Sequence, residues 1–490
     1  MSYLVFDIGS STVKAALLEE SGGLVAAARR SVALRSGPGA NEKTADPEEW
    51  LEAAAAASRE IIELAGKLRG GSPVAGIRAI AVSGNGPTLL AADADGRALG
   101  PALSWMDRRA VVEAAEVSRL AGVPVDSSFY LPKALWLMRN AERIREGARW
   151  FFSCPEYLAF RLSGEAVTYL PDPGYEPYIW SSTLLAALGL PAERFPPFVK
   201  PGSPVGALLS GSAERFGLAA GIPVVAGFPD FLACIVGSGS IEPGFACDRS
   251  GTSEAINLCA VKPYPGRALL SLPHAVPGLW NLSGGLSTAG KALEWVARVT
   301  GFSGLGADSL FAEAQRSPPG ARGLVFLPYL AGERAPLWSP ARRAAFVGLS
   351  LEHDRSDLAR AACEALAFGL RYPLELARDS GFAARVVRTS GAPARNDFLQ
   401  TLKADILGIP VEAPVIADCE LVGDAAACAL ALGEASSLEE AARALVRVER
   451  RFEPDLRFRE CHAETYAHYH EALAALGPVD ERAAARRSEE

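Results

Sequence analysis

The sequence lacks the features that mark several large classes of protein. It has five histidines and eight cysteines in 490 residues, with no Cys-x-x-Cys or His-Glu-x-x-His spacing. This argues against a zinc site or a disulfide framework and indicates reduced cysteines in a cytoplasmic protein. No apolar run approaches the roughly 18 residues that a membrane span needs, and no secretory signal is expected at the amino terminus. Acidic residues outnumber basic ones, 57 to 49, which argues against nucleic acid or an anionic membrane as a partner.

The length and the order of elements predict an α/β protein of two large domains, because 490 residues exceed what one core usually holds. Strand-like runs alternate with helical segments in the first half, and the second half repeats this order. We place the boundary between residues 1–242 and 243–476, and we expect the polar tail 477–490 to be disordered.

Helix ends can also be located. Asp46 and Pro47 predict a helix start with Glu49 completing a capping box, and Gly408 predicts the end of a helix over 397–407.

Two short loops rich in glycine and hydroxyl residues stand half a chain apart, and each follows a strand-like run. Glycine permits backbone angles that aim successive N–H groups at one point, and small hydroxyl side chains add donors without blocking an anion. One such loop is equally well explained as a tight hairpin turn. Two related loops, one in each half, favour a clamp that holds a polyphosphate from both sides. The candidate phosphate-binding residues are Gly9, Ser10, Ser11 and Thr12 in the first loop and Gly251, Thr252 and Ser253 in the second.

Two further glycine-containing stretches bear on nucleotide binding. Residues 285–291 approach the P-loop pattern, but Ala292 stands where a serine or threonine must bind magnesium, so we interpret Gly290 only as a point of close approach. Residues 390–393 precede Asn396 at a predicted helix start. Gly391, Ala392 and Asn396 could cradle an adenosine, or they could form an ordinary turn from strand to helix.

One acidic residue, Asp230, stands among apolar neighbours just before the predicted domain boundary. It could be a helix N-cap. It could also be a general base that takes a proton from a hydroxyl group attacking a phosphoryl group. The two functions are compatible.

Four polar or aromatic residues follow strand ends in the first half: Asn85, Trp105, Asp107 and Arg108. Tryptophan beside an acid and a base suits stacking on a polyol and hydrogen bonding to it. A salt-bridged helix start explains residues 105–109 equally well.

Taken together, these stretches resemble the FGGY family of carbohydrate kinases, which belongs to the actin-like ATPase superfamily. The resemblance covers the chain up to about residue 475 and is strongest at residues 326–336. Residues 344–349 with 357–364 are similar to a family signature in which only Cys363 departs, and residues 133–140 match another signature imperfectly.

The resemblance implies two ribonuclease-H-like domains around a central cleft, with sugar bound mainly by 1–242 and ATP with Mg²⁺ mainly by 243–476. It implies that Asp230 is the catalytic base, that Asp7 holds Mg²⁺ through water, and that Lys14 is a charge partner of the phosphates. Main-chain N–H groups of residues 9–12 and 251–253 would bind the phosphates, and Gly391, Ala392 and Asn396 would lie against the adenosine. A homodimer is a further family-level expectation.

The expected reaction is phosphorylation of a sugar by ATP, with a ketopentose of the xylulose type as acceptor. Asn85 and Gly86 stand where family members that act on xylulose carry Gln-Met-His-Gly, and Ser390-Gly391-Ala392 replaces three glycines. An aldonate such as gluconate, a polyol or a deoxy sugar is therefore an alternative acceptor. A non-catalytic nucleotide-binding protein on the same scaffold is the alternative from another class.

Overall fold

A computed structural model describes residues 1–39, 41–70, 73–301 and 307–489, and it confirms the α/β class. In chain order the strands of the described residues are β1 Ser2–Ile8, β2 Thr12–Glu19, β3 Leu24–Ser31, β4 Leu34–Ser36, β5 Lys43–Ala45, β6 Ile77–Gly84, β7 Leu89–Ala92, β8 Ala102–Leu103, β9 Trp150–Ser153, β10 Thr168–Tyr169, β11 Phe198–Val199, β12 Pro204–Ala207, β13 Pro223–Pro229, β14 Phe245–Ser250, β15 Glu254–Ala260, β16 Leu270–Pro273, β17 Trp280–Leu286, β18 Val325–Leu327, β19 Ala345–Val347, β20 Val386–Ser390, β21 Val411–Pro414 and β22 Val448–Phe452.

The α-helices of the same residues are α1 Pro47–Arg69, α2 Val111–Ala121, α3 Tyr130–Asn140, α4 Glu142–Gly147, α5 Cys154–Ser163, α6 Ser182–Ala187, α7 Ser210–Phe216, α8 Asp230–Gly237, α9 Gly290–Val299, α10 Ala307–Ala314, α11 Arg355–Asp379, α12 Asp397–Leu407, α13 Cys419–Ala431, α14 Leu438–Leu445 and α15 Arg459–Glu489. None of these helices combines the length and the apolar composition that crossing a bilayer requires.

The chain divides into two units, and the first contains residues 1–237, 275–277 and 419–446. Its main sheet has the order β12-β13-β6-β1-β2-β3, in which β1, β6 and β13 run parallel. Every residue of β1 is buried, as expected for a strand that is covered on both faces. Two further sheets, β4-β5-β8-β7-β9 and β10-β11, belong to the same unit.

The second unit contains residues 238–274, 278–418 and 447–490. Its main sheet has the order β16-β17-β15-β14-β20-β21-β22, with β14, β20 and β21 parallel. The antiparallel pair β14–β15 followed by a parallel β20 repeats the arrangement of β1, β2 and β6 in the first unit. The repeated order of elements in the sequence therefore corresponds to two similar sheets.

The units differ from the predicted single cut between residues 242 and 243, because α13 and α14 return to the first unit. The reason is the packing of α13 against α8 and the strands β1, β6 and β13. A Cβ on Gly423 would lie 2.0 Å from the carbonyl oxygen of Ala233, so α13 lies almost in backbone contact with α8. Such a close approach depends on glycine and on a partner helix that is distant in sequence.

Two local features bear on the predictions. In the described part of the tail 477–490, α15 continues through Pro478 to Glu489. Asp46 caps α1 as predicted, but its side chain accepts a hydrogen bond from the amide of Glu48. Glu49 instead accepts hydrogen bonds from Arg35 and from the amide of Ala33, so the predicted capping box does not form.

Candidate functional site

Three parallel strands of the first unit bring candidate residues to one sheet edge. Asp7 lies at the end of β1, Asn85 follows β6, and Asp230 follows β13. The register pairs Ile8 with Gly84, and Gly84 with Pro229, so the three strands end level with one another. The carboxyl ends of parallel strands are where α/β proteins usually bind their ligands.

Asp7 is buried in a cluster of charged groups. The ammonium group of Lys14 lies 3.2 Å from Asp7 Oδ2, and Ser83 Oγ donates to Asp7 Oδ1 at 3.4 Å. From α13, Glu420 approaches the same Lys14 at 3.6 Å. Burial raises the pKa of Glu420 to about 8, although Lys14 opposes the shift. The cluster therefore holds an acidic group that can carry a proton near neutral pH.

Glu420 and Asp424 are residues that sequence reasoning missed. Burial raises the pKa of Asp424 well above its usual value, and the charge of Asp7 adds to the effect. Their signal in the sequence was two acids, one turn apart, in the otherwise apolar α13. Among the described residues no group of three or more His, Cys, Asp or Glu side chains is arranged to hold a metal ion.

The first glycine-rich loop is tightly folded at the same edge. The amide of Gly9 donates to Thr12 O at 2.9 Å, and a Cβ on Gly9 would lie only 2.8 Å from that oxygen. Ser10 Oγ accepts a hydrogen bond from the Trp105 indole at 2.7 Å. The structure thus joins a predicted phosphate residue to a predicted sugar residue, while Ser11 at the tip is exposed.

The other three predicted sugar residues have their side chains bound to protein groups. The amide of Asn85 donates to Ile8 O at 2.8 Å. The carboxylate of Asp107 is fully buried and accepts from Arg109. Arg108 pairs with Asp126 at 3.1 Å. These contacts indicate that the three side chains help to hold the conformation of the loops that carry them.

Lys133 is a further residue near the site that sequence reasoning did not propose as a site residue. It is fully buried in α3 and donates to Pro87 O and Ser104 O, each at 2.6 Å. Burial lowers the pKa of its ammonium group to about 7. Lys133 therefore ties the segment after β6 to the segment after β8, which carries Trp105.

Asp230 begins α8 and is half-buried. Its Oδ1 accepts a hydrogen bond from the amide of Phe231 at 2.6 Å. Burial, followed by the negative charge of Asp230, raises the pKa of the Cys154 thiol well above its usual value. The position is compatible with both functions that the sequence allows, the helix start and the general base.

In the second unit three predicted nucleotide stretches come together. The loop 251–253 joins β14 to β15, and the amide of Gly290 donates to Gly251 O at 3.1 Å. A Cβ on Gly290 would lie 2.4 Å from that oxygen, and a Cβ on Gly391 would lie 2.0 Å from Ser250 O. Gly391 also has a φ of 83°, which favours glycine. The three segments can touch because Gly290 and Gly391 carry no side chain.

Gly251 and Thr252 are exposed at the tip of this loop, and Ser253 is half-buried. A Cβ on Gly251 would lie 3.8 Å from Ser253 O, an ordinary van der Waals distance, so no steric conflict requires glycine at this position. Asn396 caps α12 by accepting from the amide of Leu399 at 3.0 Å, and Ala392 is exposed in the preceding turn. The cap fits the interpretation as a strand-to-helix turn and leaves the adenosine contact a prediction.

Comparisons with known proteins agree with this arrangement. The family model for the FGGY carbohydrate kinase N-terminal domain matches residues 2–237, and that for the C-terminal domain matches residues 249–432. The chain is 31% identical over 424 residues to the xylulose kinase of Escherichia coli (strain K12), covering 83% of this chain and 85% of the relative. It is 30% identical to the glycerol kinase of Aromatoleum aromaticum (strain EbN1), covering 93% and 95% of the two chains.

The fold is also similar to that of solved structures. The crystal structure of a xylulose kinase from Brucella ovis superposes with a TM-score of 0.84 at 28% identity, covering 98% of this chain and all of the other. Such FGGY kinase structures have the two-domain, actin-like ATPase architecture, which confirms the predicted fold class.

Proposed function

The chain belongs to the FGGY family of carbohydrate kinases, and we propose that it transfers the terminal phosphoryl group of ATP to a hydroxyl group of a ketopentose of the xylulose type. The observation that carries this proposal is the position of Asp7 and Asp230 at the level carboxyl ends of β1 and β13, the two strands that flank β6. The xylulose kinases from E. coli and B. ovis among its relatives support the choice of acceptor.

In this proposal Asp230 is the catalytic base. Its carboxylate accepts the proton of the sugar hydroxyl as the hydroxyl oxygen bonds to phosphorus, and ADP leaves with the electrons of the broken P–O bond. It lies at the start of α8, where its Oδ1 accepts a hydrogen bond from the amide of Phe231 at 2.6 Å. Most of the catalysis then comes from positioning and from stabilisation of charge on the phosphoryl group.

The chain's own residues fit ATP and Mg²⁺. The main chain of the second loop is accessible to phosphate oxygens, because Gly251 and Thr252 are exposed at its tip. Asp7 would hold Mg²⁺ through water, since this ion prefers oxygen ligands and keeps several of its water molecules. Lys14, close to Asp7, offsets the remaining negative charge. Bound MgATP would supply the phosphoryl group, and the grip of both loops on one triphosphate stays a prediction.

The acceptor is tested with a panel of compounds in a coupled assay of ADP release. D-xylulose, a second ketopentose, gluconate, glycerol and a deoxy sugar are each supplied with MgATP. We expect kcat/KM for a ketopentose to exceed the others by about tenfold or more, since a site built for particular hydroxyl groups discriminates strongly. A higher kcat/KM for glycerol would contradict the ketopentose and indicate a polyol acceptor. The similarity to glycerol kinase makes a polyol the second candidate.

An aldonate is less well supported. The two arginines that could bind its carboxylate are already paired, Arg108 with Asp126 and Arg109 with Asp107. Nucleotide binding without ADP release on any acceptor would favour a non-catalytic protein on the same scaffold.

The base is tested with Asp230→Asn. We expect kcat to fall by about two orders of magnitude or more, because the amide cannot accept the proton, with the Kd for ATP within about threefold of wild type. Asp46→Asn is the matched control, since Asp46 caps α1 in the same unit and Asn is an equally good cap. Unchanged turnover in the Asp230 variant would remove this residue from its role.

The same proposal includes a cytoplasmic location and assembly as a homodimer. All eight cysteines are free thiols, seven of them buried, which is the usual state in a reducing compartment. Sedimentation of the purified protein at micromolar concentration decides between monomer and dimer.

A further inference from the structure

A buried lysine lies beneath the second phosphate loop. Lys403, on α12, is fully buried and donates hydrogen bonds to Asp248 Oδ2 at 2.5 Å, Glu254 Oε1 at 2.6 Å and Ser250 Oγ at 3.0 Å. An ammonium group has three N–H donors and no acceptor, so its hydrogen-bonding capacity is used completely.

The three acceptors stand on the two stems of the loop. Ser250 is the last residue of β14, Glu254 is the first of β15, and the two form a register pair. Ser250 Oγ also lies 2.5 Å from Glu254 Oε1. Lys403 therefore links the end of β14 to the start of β15, the two strands that residues 251–253 connect.

The charges of this cluster indicate a geometric role. One cation faces the two carboxylates of Asp248 and Glu254, and burial raises the pKa of Glu254 to about 7 although Lys403 opposes the shift. Burial also opposes the charge of Lys403, but the attraction of the two carboxylates outweighs it and raises the pKa of that ammonium group. Because the carboxylates outnumber the lysine, the cluster does not attract phosphate as a net positive charge.

Stability alone is a poor reason for the cluster. Desolvation of buried ions costs about as much as their attraction returns, so apolar residues of similar size would hold the sheet as well. In addition, Glu254 Oε2 has no hydrogen-bond partner in the described part of the chain. A buried ionic network is better explained by a structural role, in which it holds one local geometry and excludes others.

The amide of Gly251 is used within the loop, where it donates to Ser253 O at 2.9 Å. We propose that Lys403, Asp248 and Glu254 are positioning residues that hold the main-chain N–H groups of Thr252 and Ser253 in the orientation that binds phosphate, before the nucleotide arrives. Gly391, which follows the neighbouring strand β20, packs against Ser250 O at the end of β14. Holding the loop in its bound geometry lowers the ordering cost of binding. This inference rests on the proposed nucleotide role of the loop.

The test compares phosphate-bearing and phosphate-free ligands in Glu254→Ala and Glu254→Gln. We expect Glu254→Ala to raise the Kd for ATP and for ADP by about fivefold or more and to leave the Kd for adenosine within about twofold. Glu254→Gln keeps an oxygen that accepts from Lys403, so it restores ATP affinity to within about twofold of wild type. Isothermal titration calorimetry gives all three constants without any catalytic turnover.

A matched control removes another buried glutamate of the second unit. Glu364 pairs with Arg360 at 2.7 Å within α11, and Glu364→Ala is expected to lower Tm without changing the ratio of the ATP and adenosine constants. Ser250→Ala removes one tie and no charge, so it remains informative if Glu254→Ala does not fold; we expect about a threefold rise in the Kd for ATP.

The outcomes separate the two proposals. If the wild-type protein binds ATP and neither Glu254→Ala nor Ser250→Ala weakens ATP binding relative to adenosine, the positioning role is wrong and the kinase proposal stands. If the wild-type protein does not bind ATP, the proposed function fails, and the inference fails with it.

Discussion

At the scale of single residues, the buried carboxyl group of Glu156 is bound by main-chain amides instead of a cation. Glu156 is 4% exposed and accepts hydrogen bonds from the amides of Ser153 at 2.8 Å and Tyr169 at 2.7 Å. Burial raises the pKa of this carboxyl group from 4.5 to about 7, despite those hydrogen bonds. The folded protein therefore binds a proton at Glu156 that the unfolded chain releases.

This shift in the pKa of Glu156 makes the folded protein less stable as the pH rises. Because the pKa of Glu156 is higher in the folded state, its contribution is complete below about pH 4.5 and is lost as the pH rises to about 7. The loss amounts to about 3 kcal/mol of unfolding free energy at most. We expect Glu156→Gln to show a shallower fall than wild type in urea unfolding between pH 5 and pH 8.

Glu63→Gln is the control for this measurement, since Glu63 is exposed on α1 and pairs with Lys67 in the same helix. Its slope should match that of the wild type. Equal slopes for Glu156→Gln and wild type would mean that Glu156 does not titrate in this range.

At the scale of elements, the crossing of α8 and α13 leaves no room for a side chain. Cβ atoms on Gly237 and Gly423 would lie 1.8 Å from Cys419 O and 2.0 Å from Ala233 O. These neighbours are backbone atoms, so no side-chain rotation relieves the overlap. We expect Gly423→Ala to lower the unfolding free energy by about 2 kcal/mol or more, measured as a fall in Tm.

Gly211→Ala is the matched control. Gly211 lies in α7 of the same unit, and a Cβ there would meet nothing within 4 Å. Alanine favours helix over glycine, so this variant should be as stable as wild type or slightly more stable. Equal stability of Gly423→Ala and wild type would show that the helices can separate without cost.

Elements whose ends depend on nearby residues could be predicted from the sequence. The helix over 397–407 ends at Gly408 with φ 69°, as the glycine indicated. The capping box at Glu49 could not be excluded from sequence, because Ala33 and Arg35 compete for the same carboxylate from a different element.

At the scale of the whole molecule, ligand binding should stabilise the folded protein. A ligand at 100 times its Kd raises the unfolding free energy by about 2.7 kcal/mol. We expect MgATP to raise Tm, and we expect removal of Mg²⁺ with EDTA to reduce this rise and to abolish ADP release. Differential scanning fluorimetry and the coupled assay measure the two effects.

The variant Asp7→Asn should lose most of the difference between ATP with and without Mg²⁺, because an amide is a much weaker ligand for this ion. Asp95→Asn serves as the control, since Asp95 lies in an exposed turn of the same unit and pairs with Arg97. A full Mg²⁺ effect in the Asp7 variant would place the metal ion elsewhere.

The sequence by itself determined the features that depend on neighbours along the chain: the two glycine-rich hairpins, the helix ends at Asp46 and Gly408, and the order of strands and helices in each half. Backbone angles and hydrogen bonds within a few residues decide these, so the residue types carry the information.

Only the tertiary structure decided which distant groups meet. Glu420 comes to Lys14 and Lys403 to Asp248 because α13 and α12 pack against sheets formed by earlier segments. The return of residues 419–446 to the first unit has the same cause. Such contacts depend on the complementary shapes of segments 155 or more residues apart, and no local pattern records which segments meet.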